Sequence, residues 1–326
     1  MVWITWRQHR LVLAGVVALL AVAGAYLLIT GLPMHAAYGA VTACRPSGSA
    51  ACQQVAADFL GAYAPGVGVT LGLLQVIPAL IGAFAGAPLL GREFESGTFR
   101  YAWTQGFGRT RWTVAKLVPL AVALTVAAGA FSAIVAWYWA PITGAGDTNG
   151  PLYPTIFDLL GVALAAWTLT AFAIGVVAGV LIRRVIPAMV ATIAVWAALA
   201  FATGWFLRPH YRAPLITRSA SDPAGGWVIS QGWFKGGYPA SLDMLQHTLG
   251  RIDVQAVTPE VFSPGPLTPA NLDPVQYLIH NGFTQLTTYE PAAWFWQFQS
   301  IEASWLLALS LILVTAAVWL VRRRVA

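Results

Sequence analysis

Six long apolar stretches constrain this chain more than anything else in it. They run at about Leu11–Gly31, Val67–Leu90, Leu117–Ala140, Phe157–Ile182, Val185–Phe206 and Ala303–Val321, and none contains a lysine or arginine. A bilayer core takes about 20 helical residues to cross, and each stretch is of that order. Helices are expected, because lipid leaves open backbone groups unsatisfied and the stretches show no period-two alternation. Composition points the same way. The chain is 58% hydrophobic and 9% charged, whereas soluble domains carry about 25% charged residues. The expected class is an all-α integral membrane protein with six transmembrane helices. It divides into residues 1–206 (an interfacial N-terminus and spans one to five), 207–302 (a mixed subdomain between spans five and six) and 303–326 (span six and a basic tail).

Charge sets the orientation. The N-terminal segment, the 91–116 loop, the Arg183–Arg184 turn and the Arg322–Arg324 tail together hold twelve of the 18 basic residues and two of the 12 acids, Glu93 and Glu95. The positive-inside rule puts that side, and so both termini, in the cytoplasm. The net charge of +6 is therefore a topology signal with some attraction to anionic lipid. Nucleic-acid binding is excluded as its explanation.

The flanking segments fit this frame. In "MVWITWRQHR", Trp3 and Trp6 beside Arg7 and Arg10 predict a short interfacial helix. The apolar stretch that follows exceeds the usual length for a signal peptide, although small residues near Ala36–Ala40 would permit cleavage. Residues 32–66 read as a short external segment. It contains both cysteines, Cys44 and Cys52, whose place on the more oxidising side predicts a disulfide. Between spans four and five, "RRVIP" leaves room only for a tight hairpin, with Pro187 in the first turn of span five. Residues 207–302 are rich in Pro and Gly and also in aromatics, among them Trp227, Trp233, Tyr238, Phe283 and Trp294. That mixture argues for a folded external subdomain rather than a disordered linker. "SLDMLQHTL" and "NLDPVQYLIHNGF" read there as short helices.

Chemistry-bearing motifs are few. No G-x-x-x-x-G-K-[ST] and no G-x-G-x-x-G occurs, so the chain itself has no signature for nucleotide binding. Asp243 and His247 are four apart, but a solvated helix face explains them better than a metal, and no metal site is expected. Ionisable residues are nearly absent from the spans. Asp158 and Glu302 lie at span ends, where both are expected to reach the interface. An ion-driven carrier needs a buried relay, so the energy for any transport is expected from elsewhere. An intramembrane lipid enzyme lacks the acid, His or Cys constellation it would need. Gln75, Thr168, Thr170 and Thr192 are mild polar positions deep in the spans. They suit either the lining of a path for an amphipathic or lipidic cargo, or hydrogen bonds between helices. "GAFAG" (82–86) and "GVVAG" (175–179) permit close helix approach, within one subunit or between two.

The loop "GREFESGTFRYAWTQGFGRTRWTVAK" (91–116) concentrates scarce charge between two spans. Gly97 is expected to end the helix of span two, and Thr98 to cap a short helix over 99–105. Phe99 and Trp103 would share one face of it, and Arg100 the neighbouring one. Such a helix fits a docking peg for another protein or a segment lying on lipid. The stretch resembles the loop after the second span in type-two ABC transporter permeases. In that family an acidic residue and a Gly-Thr pair precede a coupling helix, and a basic residue opens the third span. Glu95, Gly97, Thr98, Arg109 and Lys116 stand in those positions here. "YEPAAWFWQFQSIEASWLL" with its basic tail is also similar to the last external segment and last span of permeases from high-GC Gram-positive bacteria. The resemblance covers the whole six-span layout, and the long 207–302 insertion departs from it.

The resemblance implies a permease subunit of an ATP-driven exporter in the bacterial plasma membrane, forming the path for an amphipathic, lipidic, drug-like or peptide cargo. Its partners would be cytosolic ATPase subunits, a second permease copy or relative, and membrane lipid. ATP and Mg would bind in the partner ATPase, with no cofactor in this chain. The ATPase contact would fall on Glu93, Glu95, Gly97, Thr98, Phe99, Arg100, Trp103 and Arg109. A membrane-anchored sensor or immunity protein, binding a ligand through residues 207–302 without transport, is the competing reading.

Overall fold

The apolar stretches become six helices long and apolar enough to cross a membrane, at Val12–Ala43, Ala50–Ser96, Arg109–Gly144, Ala163–Ile182, Val185–His210 and Ala292–Arg323. The computed structural model describes residues 2–97, 108–146, 150–218, 225–250 and 274–324. Two ends of the bundle can be told apart. The loop end carries Gly97, Gly108 and Arg183. The sheet end carries the Cys44–Cys52 disulfide and a small β-sheet.

Span one lies in α1 (Val2–Ala43), a single helix that the N-terminal residues enter without a break. Sequence reading ended this span at Gly31 and treated 32–66 as a short external segment. The structure differs: α1 runs on to Ala43, and α2 (Ala50–Leu74) begins beyond a short turn. Residues 32–66 are therefore mostly a helical hairpin. Small, helix-compatible residues fill it, Ser49 caps α2 by accepting from the Cys52 N–H, and the disulfide ties its tip.

Span two is broken twice. After α2 comes α3 (Ile77–Ile81), then one π-helical turn (Gly82–Gly86), then α4 (Ala87–Ser96). Prolines account for both breaks. Pro78 and Pro88 each lack the N–H that would continue the α-helical ladder. At the second break the Ala87 N–H reaches back to the Gly82 carbonyl, a spacing of five residues. Gly97, at φ 70°, ends α4 in the left-handed conformation that glycine adopts without strain.

Span three is α5 (Arg109–Gly144). Before span four the chain forms α6 (Pro154–Phe157), then a turn through Gly161 at φ 59°. Span four, α7 (Ala163–Ile182), therefore starts six residues later than the apolar stretch suggested, and Asp158 lies outside it. Two residues, Arg183 and Arg184, link α7 to α8 (Val185–Ala202). Span five continues through a π turn (Thr203–Leu207) and a 3-10 turn (Arg208–His210). Span six lies in α11 (Phe295–Arg324).

Span four is the hub of the bundle, packing on spans two, three, five and six. Its closest contact is with span two, and small residues make it possible. A Cβ on Gly82 would overlap the Ala171 carbonyl oxygen, and one on Gly175 the Gly82 carbonyl oxygen. A Cβ on Gly179 would overlap the Ala87 carbonyl oxygen. The two small-residue motifs thus pack on each other within one subunit.

Among the described residues, 207–302 form an antiparallel four-stranded sheet with two short helices, α9 (Leu242–Leu249) and α10 (Pro274–His280). The strands are β1 (Leu215–Thr217), β2 (Trp227–Lys235), β3 (Tyr238–Pro239) and β4 (Phe283–Glu290), in the order β1-β4-β2-β3. Trp227 on β2 joins a buried cluster with Phe157, Trp167 and Phe298, which fixes the sheet to the ends of spans four and six.

Candidate functional site

At the loop end, three of the expected contact residues are engaged inside the chain. Glu93 pairs with Lys116, whose amine also lies 4.3 Å from the Trp112 ring centre. Lys116 is thus held by partners rather than reaching freely to the membrane surface. Glu95 Oε2 accepts from the Val185 N–H at 3.1 Å. That bond places a carboxylate at the N-terminus of α8, where the helix dipole favours negative charge. Arg109 opens span three and donates to the Arg322 carbonyl at 3.3 Å. Spans two, three, five and six are therefore tied together around the mouth of the loop. Thr98, Phe99, Arg100 and Trp103 lie outside the described residues.

The polar positions within the spans turn inward. Thr168 donates to the Leu164 carbonyl and Thr192 to the Ala188 carbonyl. Thr170 bonds the Ala166 carbonyl and, across to span six, the Ser310 hydroxyl at 2.9 Å. All three threonines are fully buried. Gln75, at the first break in span two, donates to the Thr155 carbonyl at 2.8 Å. A groove of about 460 Å³ opens between span one and the π turn of span two, lined by apolar residues including Val12, Val16, Leu19 and Phe84. Asp243 and His247 are exposed on α9, and no group of metal-ligating residues occurs among the described residues.

The sheet end holds the site that sequence reading missed. Asp158 and Glu302 were expected to reach the interface. Instead both meet Arg208, and Glu302 is fully buried. Arg208 Nη2 donates to Asp158 Oδ1 and, at 2.7 Å, to Glu302 Oε1, while Nε donates to Glu302 Oε2 at 3.1 Å. Glu302 also accepts from Trp167 Nε1 at 2.8 Å and from the Tyr211 hydroxyl at 3.1 Å. Burial, and then the Glu302 charge, push the Tyr211 hydroxyl well above its ordinary value, so it remains a donor. The guanidinium carbon stands 4.3 Å from the Phe157 ring centre. Nearby, Gln299 accepts from the Ala163 N–H and donates to the Phe157 carbonyl, filling the start of span four. A charged network therefore joins the turn before span four, the end of span five and the start of span six. The spans looked uncharged in sequence because Asp158, Arg208 and Glu302 sit at their margins, and 94 residues separate Arg208 from Glu302.

Six membrane-length helices, a proline-broken second span and a loop after it that is rich in basic residues and aromatics define a multi-pass membrane protein. Residues 17–208 match the family model described as ABC-2 membrane transporter related, and the chain belongs to that family. The match begins in span one and ends at Arg208, so it includes the loop between spans two and three. No curated protein and no solved structure matches the chain. The family makes this chain a membrane-transport component.

Proposed function

We propose that this chain is the permease subunit of an ATP-driven exporter, and that it works with cytosolic ATPase subunits and a second permease subunit. The family match across spans one to five and their connecting loop carries this reading. The segment between Gly97 and Gly108 is the ATPase contact, with Phe99 and Trp103 as its anchor and Thr98 and Arg100 beside them. Glu93, Glu95 and Arg109 hold the ends of that segment to the bundle. ATP hydrolysis happens in the partner chain. The loop end faces the cytoplasm and the sheet lies outside, an orientation that the basic excess of the loop end supports, and the membrane is a bacterial plasma membrane. The cargo falls in the amphipathic, lipidic, drug-like or peptide classes that the family resemblance implies.

Affinity capture of the tagged protein from its native membrane tests this directly. The expected result is co-purification of an ABC ATPase and a second permease chain. Capture of the protein alone, under conditions that preserve other ABC complexes, would overturn the reading in favour of a sensor that binds a ligand through the sheet.

A further inference from the structure

The buried network at the sheet end has one more carboxylate than it has cations. Glu302 is the better satisfied of the two. Its oxygens receive four donors, from Trp167, Tyr211 and the Nε and Nη2 of Arg208, and its side chain has no exposure. Arg208 reaches both of its oxygens through Nε and Nη2, so the one cation of the network is matched to Glu302. Asp158 is then surplus. It shares Arg208 Nη2 with Glu302, so two carboxylates lie side by side at a single nitrogen. Like charges so placed in a low-dielectric site disfavour double ionisation. Asp158 is also the member of the trio that solvent reaches, with its side chain 22% exposed against 1% for Arg208 and 0% for Glu302.

The other charged and titratable groups nearby are otherwise engaged. Arg212 points to Gln297 and the Trp294 ring, and His210 Nδ1 faces the Phe206 carbonyl. Span four presents only the Trp167 indole to Glu302.

We propose that Asp158 is a proton-binding site, loaded from the solvent at the sheet end, and that its neutral form locks the turn before span four to the ends of spans five and six. The proton comes from water and binds the free carboxylate oxygen, while Arg208 continues to donate to the other. Loss of that proton leaves a net negative charge among Phe157, Trp167 and Phe298, all fully or nearly fully buried, and weakens the lock. This inference does not depend on the exporter reading, because it concerns the isolated chain.

Infrared difference spectroscopy on the purified protein in lipid nanodiscs reads the proton itself. A protonated-carboxyl band is expected at neutral pH. Part of it should shift when aspartate alone is isotopically labelled, and that part should vanish in Asp158→Asn, whereas any contribution from Glu290 ignores the label. A band with no aspartate-sensitive part, or no band at neutral pH, overturns the proposal without relying on any variant. Thermal unfolding gives the second readout. A site that holds a proton only when folded loses stability as pH rises, so the melting temperature should fall from mildly acidic to mildly alkaline pH. Asp158→Asn should abolish that slope, measured in a Glu290→Gln background so that the other buried carboxyl does not contribute. An unchanged slope in the double variant overturns the proposal as well.

Discussion

Glu290 ends β4 in full burial, and neither of its carboxylate oxygens has a hydrogen-bond partner among the described residues. Burial raises its pKa from the usual 4.5 to about 7, and the Arg212 charge opposes the rise only in part. The sign follows from proton linkage. The folded chain holds the proton more tightly than the unfolded chain, so stability is greatest below pH 4.5 and falls as pH rises toward 7. A shift of that size corresponds to on the order of 3 kcal/mol. Glu290→Gln keeps the shape and removes the charge. It is expected to raise the melting temperature at pH 8 and leave it nearly unchanged at about pH 4. Calorimetry at the two pH values checks this, and an equal effect at both would show that ionisation is not the cause. No sequence pattern marks Glu290, because its burial depends on how β4 pairs with β2, where it stands opposite Trp227. The same holds for Arg208. Sequence shows a charge near the end of an apolar stretch, whereas its two partners come from elements far away in the chain. Glu93 and Glu95 are the reverse case. Their loop was legible as special, yet their bonds to Lys116 and the Val185 N–H show them tying spans together.

Among the elements, the apolar stretches located all six spans, because length and freedom from charge are local properties of the sequence. Their ends were less legible. Span one and the start of span two continue well beyond the apolar stretches, since small residues are helix-compatible without being strongly apolar. Span four begins late because the turn at Gly161 separates it from the apolar residues before it. The strands were not legible as strands. The buried positions of β4 include Gln285, Thr287 and, out of phase with them, Glu290 as well as Phe283, so hydrophobic alternation is weak. The two glycine motifs were visible, but which surface each would meet was not. Their mutual packing brings the backbones of spans two and four together, with no space for a side chain. Gly175→Leu is expected to force the two helices apart and lower the melting temperature by several degrees, whereas Gly129→Leu, which meets nothing within 4 Å on span three, should change it little. Comparable losses for both variants would show that the close contact does not decide stability.

For the molecule as a whole, the arrangement gives a push at the loop a route to the far side. The loop joins spans two and three. Span two packs backbone to backbone on span four, and span four meets span six through Thr170 and Ser310 and through Trp167 and Glu302. Rigid elements in continuous contact can carry a displacement, but transport requires a partner that binds the loop differently in two states. Under the exporter reading, Phe99 and Trp103 supply that differential contact, and the internal bonds of Glu93, Glu95 and Arg109 supply the rigid mounting. The two roles are separable by experiment. Replacing Phe99 and Trp103 together by alanine should leave the melting temperature of the isolated chain unchanged and abolish co-purification with the ATPase. Gly175→Leu should do the opposite to stability while leaving the loop's own contact residues in place. If the double variant retains its ATPase and supports normal cargo export, energy does not enter through this loop. If it unfolds instead, Phe99 and Trp103 belong to the fold rather than to a partner's binding surface.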